Sequence, residues 1–295
     1  MAGTAIAAVI LIFVFVARET LPLFTSSAVQ EEVTLSKMWL AQLWPGYDGA
    51  EHVWQPVSEI PKYGILPLFV GTLKVTSVAM LVAIPLAVGA ALFVSQYASH
   101  RLREILKPVV ELLAGIPSVV LGFFALIVLA SWLQDALDLD SRLSALLAGI
   151  ALALAVVPII FTVCEEALGA VPRSYVEAST ALGARRWQTI LLVVLPSASP
   201  GIAAAIALGF GRAIGETMIV LMASGNAAIL SGSVLDSTRT LSATIAAELA
   251  EVVFGGPHYT VLFFIGSLLF LMTFSVNLVG SIATARLKAK VGGRR

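Results

Sequence analysis

VTSVAMLVAIPLAVGAALF, residues 75–93, is an apolar run without a single charged side chain. A helix needs roughly 20 such residues to cross the hydrocarbon core of a bilayer. Similar runs recur along the chain, of whose 295 residues 59% are hydrophobic and only 12% are charged. Soluble domains carry about twice that share of charge, and transmembrane barrels show short alternating segments instead of continuous runs. The composition therefore predicts an all-α polytopic membrane protein.

The apolar runs predict six transmembrane helices. Their expected bounds are Ala5 to Phe24, Leu66 to Ser99, Leu106 to Trp132, Leu143 to Ala167, Leu195 to Ser224, and Tyr259 to Ala285. An even number of spans places both termini on one side of the membrane. A cleaved signal peptide is the alternative for the first run, but the sequence offers neither a basic segment before it nor an evident small-residue cleavage site.

Basic residues follow the second, fourth and sixth runs. They are Arg101, Arg103, Lys107, Arg173, Arg185, Arg186, Arg286, Lys288, Lys290, Arg294 and Arg295. By the positive-inside rule these segments face the cytoplasm, and so do both termini. Arg18 does not fit, because it lies near the end of the first run, toward the expected outer side. The formal net charge is zero, which gives no support for binding of nucleic acid.

The segment between the fourth and fifth runs is unusually apolar for a cytoplasmic loop. Pro172 suits the first turn of a helix, Ser174 to Leu182 is compatible with a helix, and Gly183 permits a sharp turn before a second helical stretch. The residues expected to contact a partner protein are Glu177, Ala178, Ser179, Gly183, Arg185 and Arg186. An ordinary amphipathic helix at the membrane surface is the alternative interpretation.

Two charged residues, Arg212 and Glu216, interrupt the fifth apolar run. Four residues apart, they would lie on one face of a continuous helix. Each costs about 2.5 to 3.5 kcal/mol at the bilayer centre, which calls for a reason. One interpretation is a structural ion pair that holds two spans together, and the other is a site on an anion pathway, since a guanidinium binds two phosphate oxygens at once. We hypothesise that Glu216 orients Arg212 and accepts a hydrogen bond from protonated phosphate. Fully deprotonated sulfate has no proton to donate to such a bond.

Part of the loop resembles a motif of a transporter family. Glu177-Ala178-Ser179, Gly183 and Leu195-Pro196 resemble the EAA loop of ABC importer permeases, whose pattern is EAA, three residues, Gly, nine residues and I-x-L-P. Ser179 replaces the third Ala, and Val193 stands where Ile is usual. The resemblance implies the type I ABC importer permease fold. It also implies a coupling helix at about 171–190 that docks into an ATPase subunit.

A second resemblance covers the chain from about Tyr63 onward. GRAIGETM (211–218) with VLMASGN (220–226), GIPSVV (115–120), YGILP (63–67) and TLSATIA (240–246) are similar to the PstC-type subunit of bacterial phosphate importers. That family implies Arg212, Glu216 and Thr217 as residues of the phosphate pathway. It further implies that residues 1–62 form the first span and an extracytoplasmic loop, and that residues 63–295 form a five-helix permease core.

The same resemblance implies partners. These are a PstA-type permease, two PstB-type ATPase subunits and a PstS-type extracytoplasmic phosphate-binding protein, assembled in the bacterial inner membrane. No Gly-Lys pair followed by Ser or Thr occurs in the sequence, so ATP and Mg would bind to the ATPase, and we expect this chain to have no catalytic activity and no cofactor. The scattered histidines His52, His100 and His258 give no metal-ligand spacing. Transport would proceed by alternating access.

Three other functions remain open from the residues. The first is an ATPase-independent secondary anion transporter that uses Arg212 and Glu216 as a proton-linked site; it predicts inverted repeats, of which the sequence gives no convincing sign. The second is an ABC permease for sulfate or molybdate. The third, a non-transporting membrane regulator, would leave the EAA-like loop without a role.

Overall fold

The computed structural model describes the backbone of residues 2–292, so Arg294 and Arg295 of the positive-inside argument lie outside the described residues. Its helices are α1 (Ala2–Thr20), α2 (Pro22–Thr25), α3 (Ser27–Glu32), α4 (Leu35–Trp39), α5 (Leu66–Gln96), α6 (His100–Ala114), α7 (Ser118–Phe124), α8 (Ala130–Leu137), α9 (Ala145–Gly169), α10 (Arg173–Ala181), α11 (Arg186–Thr189), α12 (Leu195–Ile214), α13 (Met218–Ala223), α14 (Leu241–Glu248) and α15 (Pro257–Gly292). π-Helical turns at Ala125–Leu129 and Ile190–Val194 join α7 to α8 and α11 to α12.

Six helical segments among the described residues are long and apolar enough to cross a membrane. They are Ile6–Thr25, Leu66–Gln96, Ser118–Leu137, Ala145–Gly169, Arg186–Ile214 and Pro257–Lys290. Helices pair most of their backbone hydrogen-bonding groups internally, which the bilayer core requires. The predicted all-α polytopic architecture with six spans is confirmed.

The predicted start of the third span is wrong. Leu106 lies inside α6, an amphipathic helix that ends at Ala114, and the span itself begins at Ser118. Between them lies Gly115-Ile116-Pro117, where Pro117 has no N–H to donate and disfavours helix in the residue before it. The break separates an amphipathic helix without buried residues from the apolar span.

The segment between the first and second spans is largely ordered by short elements. Beyond α2 to α4 it forms two antiparallel pairs, β1 (Gln42–Leu43) with β2 (Ala50–Glu51), and β3 (Trp54–Gln55) with β4 (Lys62–Tyr63). In the second pair Trp54 lies opposite Tyr63, and their rings meet edge to face at 5.9 Å. Such cross-strand aromatic pairs stabilise short sheets.

The chain divides into two compact units. The first comprises the residues up to Val75, Gly122–Ala148 and Ile214–Met272. Its core contains Val33, Met38, Ile65, Leu241 and Leu262, all almost inaccessible to solvent. The α1 helix packs on the first half of α15, where the rings of Phe13 and Phe270 lie 4.2 Å apart.

The second unit comprises Thr76–Leu121, Gly149–Ala213 and the residues from Thr273 onward. Its core surrounds α9, on which Ile160, Phe161 and Cys164 are fully buried. Gly209 of α12 faces Ile160 so closely that an added Cβ would lie 2.7 Å from the Ile160 side chain. Small residues allow such close approach between membrane helices, and here they bring α12 against α9.

Candidate functional site

The EAA-like loop folds as a helix, a turn and a second helix, as predicted. α10 begins directly after Pro172 and its C-cap is Leu182. Gly183 follows with a φ of 82°, a left-handed conformation that favours glycine. The turn is closed by hydrogen bonds from Gly183 N to Thr180 O at 2.9 Å and from Ala184 N to Ser179 O at 3.2 Å. Glycine therefore ends α10 and redirects the chain.

This turn presents an exposed surface. No residue of α10 is buried, and both Glu177 and Ala178 are exposed. At the turn itself the Leu182 side chain is 90% exposed, and Trp187 is 52% exposed. Contiguous exposed apolar side chains mark protein or membrane contact sites. The geometry thus offers a docking surface.

Other contacts hold the loop to the ends of the spans. The hydroxyls of Ser179 and Thr189 lie 2.9 Å apart and join α10 to α11. Arg186 donates a hydrogen bond to the carbonyl oxygen of Gln96, and its guanidinium lies 5.0 Å from the centre of the Tyr97 ring. Arg186 therefore fixes α11 to the end of α5. The neighbouring Arg185 is exposed.

The expectation that Arg212 and Glu216 share one helix face is wrong. α12 ends at Ile214, α13 begins at Met218, and Glu216 lies in the break between them. Arg212 occupies the last turn of α12, where a cation interacts favourably with the helix dipole, and it is exposed. The predicted fifth span, Leu195 to Ser224, is corrected to Arg186–Ile214.

Glu216 explains why the helix breaks here. Its carboxylate is buried, and Oε1 accepts hydrogen bonds from the backbone N–H groups of Met218 at 3.2 Å and Ile219 at 3.5 Å. These N–H groups begin α13 and have no partner within that helix, so the side chain satisfies them. Ser242 Oγ donates to the Glu216 carbonyl oxygen at 2.8 Å, and Thr217 follows, half-buried.

Two of the motifs identified in the sequence meet at α13. A Cβ added to Gly122 of α7 would lie 3.1 Å from the Met218 carbonyl oxygen and 2.9 Å from Met222 Sδ. The absence of a side chain at Gly122 therefore lets α7 pack directly on the first turn of α13. Gly122 and the Met218 turn thus form one packed region within the first unit.

Residues 83–292 match the family described as "Binding-protein-dependent transport system inner membrane component". The chain belongs to this permease family. Among curated proteins it is 32% identical over 298 residues to the phosphate transport system permease protein PstC of Xylella fastidiosa, a match that covers 92% of this chain and 91% of that protein. It is also 36% identical over 235 residues to the probable ABC transporter permease protein YqgH of Bacillus subtilis, covering 80% and 76% of the two chains.

Solved structures agree on the fold of the permease. A chain of a bacterial alginate ABC transporter in complex with a periplasmic protein aligns with a TM-score of 0.63 at 15% identity, covering 97% of this chain and 94% of that one. A chain of the MetNI methionine ABC transporter aligns with a TM-score of 0.56 at 20% identity, covering 76% and 94%. The type I ABC importer permease fold implied by the EAA-like loop is confirmed.

The structure also reveals an ion cluster in the permease that sequence analysis missed. Glu165 of α9 is only 1% exposed, and it pairs with Arg103 and with Lys107, whose Nζ lies 3.1 Å from Oε2. A buried carboxylate needs such compensation. The sequence signal is an acidic residue within an apolar run. Its basic partners on the amphipathic helix α6 are visible only in the structure. The cluster holds α6 to α9.

A second missed cluster lies in the first unit. The Glu248 carboxylate accepts hydrogen bonds from Trp54 Nε1 at 3.0 Å and from Arg239 at 2.6 Å, and His258 Nε2 lies 3.0 Å away. Burial raises the pKa of Glu248, but the hydrogen bonds from His258 and Trp54 and the charge of Arg239 outweigh it, so the pKa lies below its usual value. Trp54 lies 194 residues before Glu248 in the sequence, and no helix or strand period links Glu248 to Arg239 and His258.

Proposed function

We propose that the chain is the membrane-spanning permease subunit of an ATP-driven phosphate importer. The observation that carries this proposal is the 32% identity over 92% of the chain to a permease named for phosphate transport. The permease forms the phosphate pathway together with a paralogous permease and exposes it alternately to the two sides of the membrane. The EAA-like turn around Gly183 supports the coupling of this change to ATP hydrolysis in another subunit.

Arg212 is the proposed phosphate-binding residue of this chain. It is an exposed cation at the end of an otherwise apolar membrane helix, a costly placement that is typical of residues facing a pathway. Its planar guanidinium binds two phosphate oxygens in a fork geometry. Glu216 holds the first turn of α13 in place, and the Thr217 hydroxyl supplies a further hydrogen-bonding group beside it.

The proposed assembly contains a PstA-type permease, two PstB-type ATPase subunits and a PstS-type phosphate-binding protein in the bacterial inner membrane. α10 docks on an ATPase, with Glu177, Ala178, Ser179 and Gly183 in the contact and Arg185 at its rim. ATP and Mg bind to the ATPase. Both termini face the cytoplasm, which places α10 on the same side as that subunit.

Uptake by cells that lack their own phosphate importers tests this function. The permease is expressed with its partner subunits, and uptake of radiolabelled phosphate is measured with excess sulfate or molybdate as competitor. We expect saturable phosphate uptake that neither competitor suppresses, and its loss in Arg212→Ala. Arg101→Ala, which removes an exposed arginine from the first turn of α6, is the control and should retain uptake. Uptake of sulfate or molybdate in preference to phosphate would reject phosphate as the substrate.

A further inference from the structure

A large cleft lies at one end of the second unit, beside α10. It encloses about 1070 Å³ between the end of α9, the start of α10, the first turns of α12 and the last turns of α15. Leu192, Val193 and Ala167 contribute apolar walls, and Tyr175 of α10 lines the cleft as well. Its volume exceeds that of typical small-ligand pockets, so a large amphipathic molecule fits.

The charged groups of the cleft are all of one sign. Lys288 and Lys290 lie on its α15 side, and no acidic residue of the described chain lines it. Among the residues that the structure describes, neither lysine forms an ion pair or a hydrogen bond. The cleft thus combines two cations with an apolar wall, at the point where the α9 and α15 spans end.

We propose that this cleft binds an anionic phospholipid. The phosphate of the headgroup pairs with Lys288 and Lys290, and the first part of an acyl chain lies along Leu192 and Val193. Basic pockets between membrane helices bind anionic headgroups in this way. Free phosphate would gain the cations but nothing from the apolar walls, whereas a neutral lipid would gain the walls but not the cations.

Such a lipid would contact the proposed coupling helix directly. Tyr175 lies on α10, while Pro196 and Gly201 of the same cleft lie on α12 and Ala167 lies on α9. A single bound lipid therefore bridges the helix that leaves the fourth span and the helix that begins the fifth. We expect occupancy to raise the thermal stability of the permease, because a ligand that binds only the folded state stabilises it.

Native mass spectrometry of the purified complex tests the proposal. The permease is purified from membranes with the subunits that accompany it, delipidated, and titrated with phosphatidylglycerol, phosphatidylcholine or inorganic phosphate. We expect binding that depends on Lys288 and Lys290 for phosphatidylglycerol only, since inorganic phosphate would bind independently of these lysines at the proposed Arg212 site. Because each lysine contributes about 1 kcal/mol to attraction of an anionic lipid, Lys288→Gln/Lys290→Gln should bind about 30-fold more weakly.

Matched variants decide the outcome. Arg286→Gln removes a cation from the same end of α15 that does not line the cleft, and it should bind as the wild type does. Leu192→Gln should weaken lipid binding while both lysines remain. Equal loss in Arg286→Gln, equal binding of phosphatidylcholine, displacement of phosphatidylglycerol by inorganic phosphate, or full binding by the double lysine variant would each overturn the lipid site. Lipid binding is read without transport, so its failure leaves the proposed phosphate import untouched.

Discussion

Glu216 Oε1 accepts a hydrogen bond from the backbone N–H of Met218 at 3.2 Å, and this contact lies in the break after α12. A buried carboxylate here caps α13, and its negative charge is the group that we propose to act in phosphate selection. The two roles are separable, because an amide oxygen retains the cap and removes the charge.

Replacement of Glu216 separates these roles. Glu216→Ala leaves two N–H groups without their acceptor and should lower the free energy of unfolding by about 1 to 3 kcal/mol. Glu216→Gln should retain stability but reduce the preference for phosphate over sulfate, because its neutral amide makes a weaker hydrogen bond to protonated phosphate. Thermal unfolding and competition uptake measure the two effects. Unchanged selectivity in an actively transporting Glu216→Gln would refute the charge role.

The guanidinium geometry of Arg212 gives a second prediction. Arg212→Lys retains the positive charge but loses the planar fork, so we expect phosphate uptake between those of the wild type and Arg212→Ala. The initial uptake rate as a function of phosphate concentration provides the measurement. Equal uptake by all three proteins would show that Arg212 serves packing or the α12 terminus instead of substrate.

The left-handed turn at Gly183 gives a third prediction. Gly183→Ala should cost about 1 to 2 kcal/mol, because its Cβ is disfavoured at a φ of 82°, and should also uncouple ATP hydrolysis from transport. Gly46→Ala is the matched control, since Gly46 has a φ of 85° in the segment before the second span and equal space around it. Both variants should lose similar stability, but only Gly183→Ala should lose coupling. Coupling lost equally in both would reject a specific role of this turn.

The buried Glu165 gives a fourth prediction, in which the order of the effects matters. Arg103→Ala/Lys107→Ala leaves a carboxylate that is 1% exposed without a cation, which costs several kcal/mol. Glu165→Gln removes the charge itself, while the two cations, 41% and 34% exposed, retain access to solvent. Thermal unfolding should therefore rank Glu165→Gln as the milder change. Adding Glu165→Gln to the double variant should restore part of the loss, and the absence of any rescue would contradict the ion cluster.

Glu248 gives a prediction on pH. Its folded pKa lies below the ordinary value of 4.5, so its contribution to stability is complete above that value and is lost as the pH falls through the folded pKa. Between about pH 5 and pH 3 the wild type should lose more stability than Glu248→Gln, which has no carboxylate to protonate. Glu251→Gln, a neighbouring exposed acid, should follow the wild type. Parallel curves for the wild type and Glu248→Gln would contradict the assignment.

Sequence patterns predicted the parts of the fold that depend on local chemistry. Uncharged runs such as residues 75–93 indicate spans by themselves, and Pro172 with Gly183 marks the ends of α10 through backbone preferences alone. The break at Glu216 does not follow from the four-residue spacing, which predicts a shared face only on a continuous helix, although Gly215 is a sign of interruption. A side chain that bonds to its own backbone competes with the helix, and hydrophobic periodicity does not detect that.

Long-range contacts set the remaining features. Trp54, Arg239 and His258 meet at Glu248 only because the segment before α5, the segment before α14 and the start of α15 fold together. The two-residue strands around Trp54 are likewise too short for an alternating pattern to indicate them. Similarly, Gly115-Ile116-Pro117 indicates a helix break in the sequence. Apolar residues on both sides of it nevertheless predict one continuous span instead of an amphipathic helix followed by a span.

Phosphate uptake by proteoliposomes, with and without the ATPase subunits, tests the central claim most directly. The permease is reconstituted with its partner permease, phosphate-loaded binding protein outside and ATP inside. We predict uptake only when the ATPase is present, with uptake abolished in Arg212→Ala and with hydrolysis uncoupled from uptake in Glu177→Lys. Phosphate uptake that proceeds at an undiminished rate without any ATPase subunit would contradict the account and identify a secondary transporter.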